Sequence, residues 1–110
     1  MATRTRRKRK VLERDIEGAF VKKARALGCM CRKLNGMGYA SWPDQMVLVP
    51  GGKVLLIEFK REGEELREAQ ADLHRQAKTM GHKWYWFDNW EEPLRLVEFY
   101  IERALKRTNK

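Results

Sequence analysis

The chain has 110 residues, of which 43% are hydrophobic and 35% charged, and a formal net charge of +9. That length suits one domain with one core; no apolar run nears the about 20 residues that span a bilayer, and no secretory signal pattern is present, so the expected setting is the cytoplasm with no membrane partner. The charge is uneven: ten of the 24 Lys and Arg lie in residues 1–10 and 103–110, which leaves 14 against all 15 acidic residues in between.

In chain order, residues 1–10, MATRTRRKRK, read as a disordered basic arm, 11–107 as a single domain and 108–110 as a basic tail. Basic ends on a near-neutral body suit a polyanion, whose neutralised phosphates release counterions; a solubilising tail is the plainer alternative. LERDIEGAFVKKARALG predicts a helix with Ile16, Ala19, Phe20, Ala24 and Leu27 inward and Gly28 as its left-handed stop. Cys29 and Cys31, in CMCRKLN, lie on a short predicted strand. Two sulfurs are half a zinc site, and His74 and His82 add no ligand spacing, so reduced, packed thiols are expected. NGMGYASW reads as an irregular loop. DQMVLVP and KVLLIEFK form a hairpin across PGG, and the unbroken VLLI predicts a strand covered on both faces. LREAQADLHRQAKTMG is a second helix, with Leu66, Ala69, Leu73, Ala77 and Met80 inward. HKWYWFD is a fourth strand, whose aromatic residues suit a core or an interface better than base stacking. EPLRLVEFYIERALKR closes the domain as a third helix, with Pro93 near its first turn. The order αβββαβα implies an α/β fold, a small mixed sheet flanked by helices.

Several polar residues break this pattern. Strand side chains alternate, so Glu58 and Lys60 share one face of the hairpin's second arm. A turn at PGG brings the start of the first arm, Asp44, beside the end of the second. Two carboxylates about 4 Å apart at an effective dielectric near 20 repel by roughly 4 kcal/mol, so a positive group belongs between them. Lys60 could serve in an exposed Glu58–Lys60 ion pair; a hard divalent cation would serve better. On the second helix Gln70 interrupts the apolar stripe, and a buried amide needs partners. On the first helix Glu13 lies roughly 40° from the centre of the apolar stripe and Glu17 roughly 80°. Glu13 is therefore the expected inward acid, with helix-dipole stabilisation of an N-terminal acid as the alternative.

A helix acid, P-D at a strand start, E-F-K at the end of the next strand and a helical Gln ten residues beyond that Lys resemble the PD-(D/E)XK nuclease pattern, that is, a restriction-endonuclease-like core. More narrowly, PDQMVLVPGGKVLLIEFKREGEELREAQADLH resembles the virus-type replication-repair nuclease (VRR-NUC) domain, with coverage from Glu13 to about Phe87. The resemblance implies that Asp44, Glu58 and the Phe59 backbone carbonyl hold Mg²⁺ or Mn²⁺. It implies that Lys60 positions the attacking water, and that Glu13 and Gln70 complete the surroundings of metal, water or phosphate. It further implies metal-dependent hydrolysis of DNA, by analogy with stand-alone phage-type members a homodimeric endonuclease on branched DNA such as Holliday junctions. The setting would be bacterial or phage-infected host cytoplasm, with no small-molecule cofactor. Flap or end trimming, and a non-catalytic nucleic-acid-binding module on the same fold, are the alternatives. Arg32, Lys33, Tyr39 and Trp42, in or beside the loop before Asp44, are the candidate DNA contacts.

Overall fold

Seven elements follow in the expected order: α1 (Glu13–Ala26), β1 (Met30–Lys33), β2 (Gln45–Val49), β3 (Lys53–Phe59), α2 (Glu68–Thr79), β4 (Trp84–Phe87) and α3 (Glu91–Thr108). They belong to a computed structural model that describes residues 10–34 and 41–108. Residues 1–9 of the basic arm, the loop 35–40 with Tyr39, and residues 109–110 lie outside the described residues.

The strands stand in the order β1-β2-β3-β4, the first two pairings antiparallel and the third parallel. The hairpin is set by its turn. Pro50 precedes Gly51, whose φ is 99°, and the Gly52 N–H donates to the Val49 carbonyl at 3.2 Å, the pattern of a turn that needs positive φ at its third residue. α3 packs down onto this turn, and a Cβ on Gly51 would stand 2.2 Å from that of Ala104. Glycine is thus required there twice over, by conformation and by space.

One face of the sheet is dry. Cys31, Val47, Leu55, Ile57 and Phe59 alternate onto it and meet Ile16, Phe20 and Ala24 of α1 and Val97 of α3. The Phe20 and Phe59 rings lie 5.4 Å apart and are fully buried; burying each side chain of this size contributes about 1.5–3 kcal/mol. The other face is only partly covered. α2 packs against β4, and Leu73 and Ala77 share a cavity of about 260 Å³ with Leu56 and Trp84. Met30, Leu48 and Val54, paired side by side across three strands, are 67%, 37% and 47% exposed.

These exposures correct the expectation that VLLI is covered on both faces: Val54 lies beyond the reach of α2. Leu27, at the helix cap, and Ala69 and Met80, at the ends of α2, are also exposed rather than inward. The periodicity that placed them inward continues past the stretch where a neighbour exists to receive them. Both cysteines are free and buried, and no helix among the described residues is long and apolar enough to cross a membrane.

Candidate active site

The register of the hairpin builds the site. Gln45 pairs with Ile57, so Asp44, one residue before β2, falls opposite Glu58. Its carboxylate is then fixed by backbone: Oδ2 accepts the Phe59 N–H at 2.8 Å, while its carbonyl accepts the Leu34 N–H at 2.7 Å. Glu13, the first residue of α1, arrives from the helix layer. One carboxylate oxygen from each of Glu13, Asp44 and Glu58 lies within 4.8 Å of the others. At that distance and an effective dielectric near 20, each charged pair repels by roughly 3 kcal/mol.

The protein answers that repulsion with protons and ammonium groups. Glu58 is 5% exposed, and its pKa is pushed up to about 9, by burial first and then by the charge and hydrogen bond of Asp44, with Lys60 pulling the other way. Glu13 is raised as well, again by burial first and then by Asp44. Lys60 is also 5% exposed. Its backbone N–H donates to the Phe87 carbonyl at 2.8 Å, which extends the parallel ladder and holds the residue beside Glu58.

A second acid enters where the helical angle places it at the margin. Glu17, not Glu13, is the more buried of the two, at 9% exposed. Its carboxylate accepts from Lys33 Nζ at 2.9 and 3.0 Å and from the Gln45 side-chain amide. Lys33 also stands 3.5 Å from Asp44 Oδ1, so one ammonium ties α1 to the strand acid. Partial burial disfavours the charged Lys33, but the Glu17 bond and the attraction of Asp44 outweigh it and hold its pKa above the usual lysine value. Glu17 follows Glu13 by four residues, one turn along the same face, and that spacing was the available signal. Its partners, Lys33 and Gln45, come from β1 and β2, which the helix pattern does not reveal. Because the Gln45 amide nitrogen must face Glu17, its Oε1 is left buried without a hydrogen-bond partner among the described residues.

The other sequence candidates fall as follows. Gln70 is buried, but its Oε1 accepts the Arg67 N–H at 3.0 Å, so this amide caps the start of its own helix; among the described residues no hydrogen bond joins it to the acids. Phe59 contributes through its N–H to Asp44 and its ring in the core. Arg32 is exposed on β1, and Trp42 is 44% exposed, its ring 5.7 Å from that of Trp84. Tyr39 lies outside the described residues.

This donor set suits a hard divalent cation. Three carboxyl oxygens converge, burial of Glu58 makes its carboxyl hold a proton unusually tightly, and among the described residues no thiol or imidazole joins the cluster. Glu13, Asp44 and Glu58 are the residues that would hold it.

No family model matches the chain. It is 31% identical over 75 residues to a protein of Acyrthosiphon pisum secondary endosymbiont phage 1 described as "Putative nuclease p44", across 68% of this chain and 81% of that relative. A solved structure described as "VRR_NUC domain" superposes with a TM-score of 0.72 at 24% identity, across 82% of this chain and 98% of that one. The four-stranded mixed sheet flanked by helices is thus a PD-(D/E)XK-like fold. Within that class, the chain belongs to the family of that phage nuclease, and its fold is that of the VRR-NUC domain.

Proposed function

We propose that this protein is a divalent-metal-dependent endonuclease that hydrolyses DNA phosphodiester bonds, preferentially in branched DNA, as a homodimer of single-domain chains in the cytoplasm. The observation that carries the catalytic reading is the convergence of Glu13, Asp44 and Glu58 beside a nearly buried Lys60. An acid cluster this strained is costly for a small domain and gains purpose as a site for Mg²⁺ or Mn²⁺. The dimer is supported by the apolar row Met30, Leu48 and Val54, side by side and open on the half-covered sheet face. Branched-DNA preference follows from pairing two such sites for a cut in each of two strands.

A bound divalent cation would polarise a phosphoryl oxygen and make bound water more acidic. The chain supplies the rest. Asp44 is pre-oriented by the Phe59 N–H, so its free oxygen needs no reorganisation to serve. Lys60 presents a charged donor at the edge of the acid cluster, where it positions the attacking water and offsets the negative charge that develops on phosphorus-bound oxygens. Glu58 has the proton affinity to hold a proton on its carboxyl at neutral pH while the site awaits a cation. Glu17, Lys33 and Gln45 hold Asp44 and the helix end together.

The test compares four-way junction, flap, single-stranded and plain duplex DNA with Mg²⁺, Mn²⁺ or EDTA, beside Lys60→Ala. Junction DNA should be cut fastest, EDTA should abolish cutting, and the variant should lose at least about a hundredfold, as for a transition-state role. A variant as active as the parent would refute the assignment of Lys60. Tight binding without cleavage in either metal would refute the nuclease reading.

A further inference from the structure

The opposite end of β3 carries a second charged cluster that the proposed catalysis does not use. Lys53 opens the strand, Lys83 precedes β4, and Arg103 and Arg107 project from the last turns of α3; with Phe99 and Tyr100 they line a cavity of about 210 Å³. Lys53 Nζ stands 5.4 Å from the centre of the Tyr100 ring, and the Arg103 guanidinium 5.5 Å from that of Phe99. Among the described residues none of these four cations has a carboxylate within 4.0 Å; the nearby Glu102 is engaged by Lys106 at 3.2 Å. A helix C-terminus favours cations, which accounts for Arg107. It does not account for two lysines that arrive from the sheet to the same hollow, where all four repel one another.

Uncompensated positive charge from three separate elements, set around two aromatic rings, is complementary to a phosphodiester backbone. Guanidinium forks match phosphate oxygens in pairs, and Phe99, 48% exposed, offers a face for a sugar or an unpaired base. The distance is informative. From Lys53 to Glu58 the strand advances about 17 Å at roughly 3.3 Å per residue, close to the axial rise of about five base pairs at roughly 3.4 Å each.

We infer that the Lys53, Lys83, Arg103, Arg107 pocket is a second nucleic-acid contact, which grips the backbone of a DNA arm about five pairs from the bond placed at the acid cluster. The inference rests on the nuclease reading for the role of the grip, whereas the binding itself can be measured without cleavage.

The experiment uses the full chain in EDTA and a fluorescent duplex of about 20 base pairs, with anisotropy titrations between about 50 and 200 mM salt. Arg103→Ala/Arg107→Ala removes two exposed side chains, and a thermal melt checks that the fold survives. The double variant should bind more weakly than the parent at about 50 mM salt, with the slope of log K against log salt shallower by about 1.8, as for two lost phosphate contacts, so that its deficit shrinks by about tenfold between about 50 and 200 mM. Lys83→Ala should reduce the slope by about 0.9. Parental affinity and slope in the double variant would overturn the inference, whether or not the parent cuts DNA. Parental DNA binding together with lost binding to phosphatidylserine vesicles would overturn it in favour of a lipid surface. A parent that binds in this way but never cleaves would sink the nuclease reading and leave the pocket standing.

Discussion

The two ends of β3 are opposites built on one strand. At its end Glu58 joins two other acids, with Lys60 and Lys33 nearby; at its start Lys53 joins three other cations and no acid within ion-pair distance among the described residues. Along the strand Leu55, Ile57 and Phe59 are fully buried on the dry face. The contrast separates two kinds of work. The buried face of the strand supplies stability, and each end carries crowded charge that a partner of the opposite sign would relieve. The ends differ in solvent: Glu58 and Glu13 are desolvated and hold protons more tightly than free carboxyls do, whereas the cations at the start are mostly exposed and screened.

The buried face is where a single substitution should matter most. Phe59→Ala removes a ring packed on Phe20 and should destabilise the fold by about 3–5 kcal/mol, read as a loss in the midpoint of urea unfolding. A change below about 1 kcal/mol would mean that the core does not depend on that contact.

The acid end should respond next. With a folded pKa of about 9 against an ordinary 4.5, Glu58 binds a proton in the folded chain over a range where the unfolded chain has released it. Its contribution is therefore fully present below about pH 4.5 and is lost as pH rises towards 9, at up to about 1.4 kcal/mol per pH unit. The raised pKa of Glu13 acts in the same direction. In EDTA, melting temperature should fall from pH 5 to pH 9; Glu58→Gln should flatten that fall and be the more stable protein at pH 8. A parent whose melting temperature is level across this range would show the acids to be solvated.

The smallest effect belongs to the basic end. Lys83→Gln relieves repulsion among exposed charges and should stabilise the free protein by only a few tenths of a kcal/mol, an effect that disappears in about 0.5 M salt as screening lengths shrink to a few Å. If it matched the Glu58→Gln effect in size, the contrast between a desolvated and a screened end would fail.

The hairpin and its acids were legible in the residues because local rules determine them. Pro50 and Gly51 specify the turn, alternation specifies the faces, and together they place Asp44 opposite Glu58 before any tertiary contact is considered. Glu13, at the head of α1, was reachable by helical angle and does join the cluster. Glu17 was harder, because its burial depends on a lysine and an amide that arrive from two strands. Gln70 was correctly read as buried and in need of a partner, but that partner is its own helix start, a bond three residues long that competes with any distant one. The uncovered half of the sheet escaped notice for another reason. VLLI is as apolar as a doubly covered strand, and only the length and position of α2 decide which of those side chains meet a neighbour. The basic pocket unites residues 53, 83, 103 and 107, and of these only the last two are linked by helical spacing.

Phe59 stands between Glu58 and Lys60 with its ring wedged against Phe20 and its amide on Asp44. A mutation that loosens the interior at this position would therefore also release the acid from its tether, so the residue answers to two selective pressures at once. Drift there should be slower than at Leu55 or Ile57, whose only duty is to fill space.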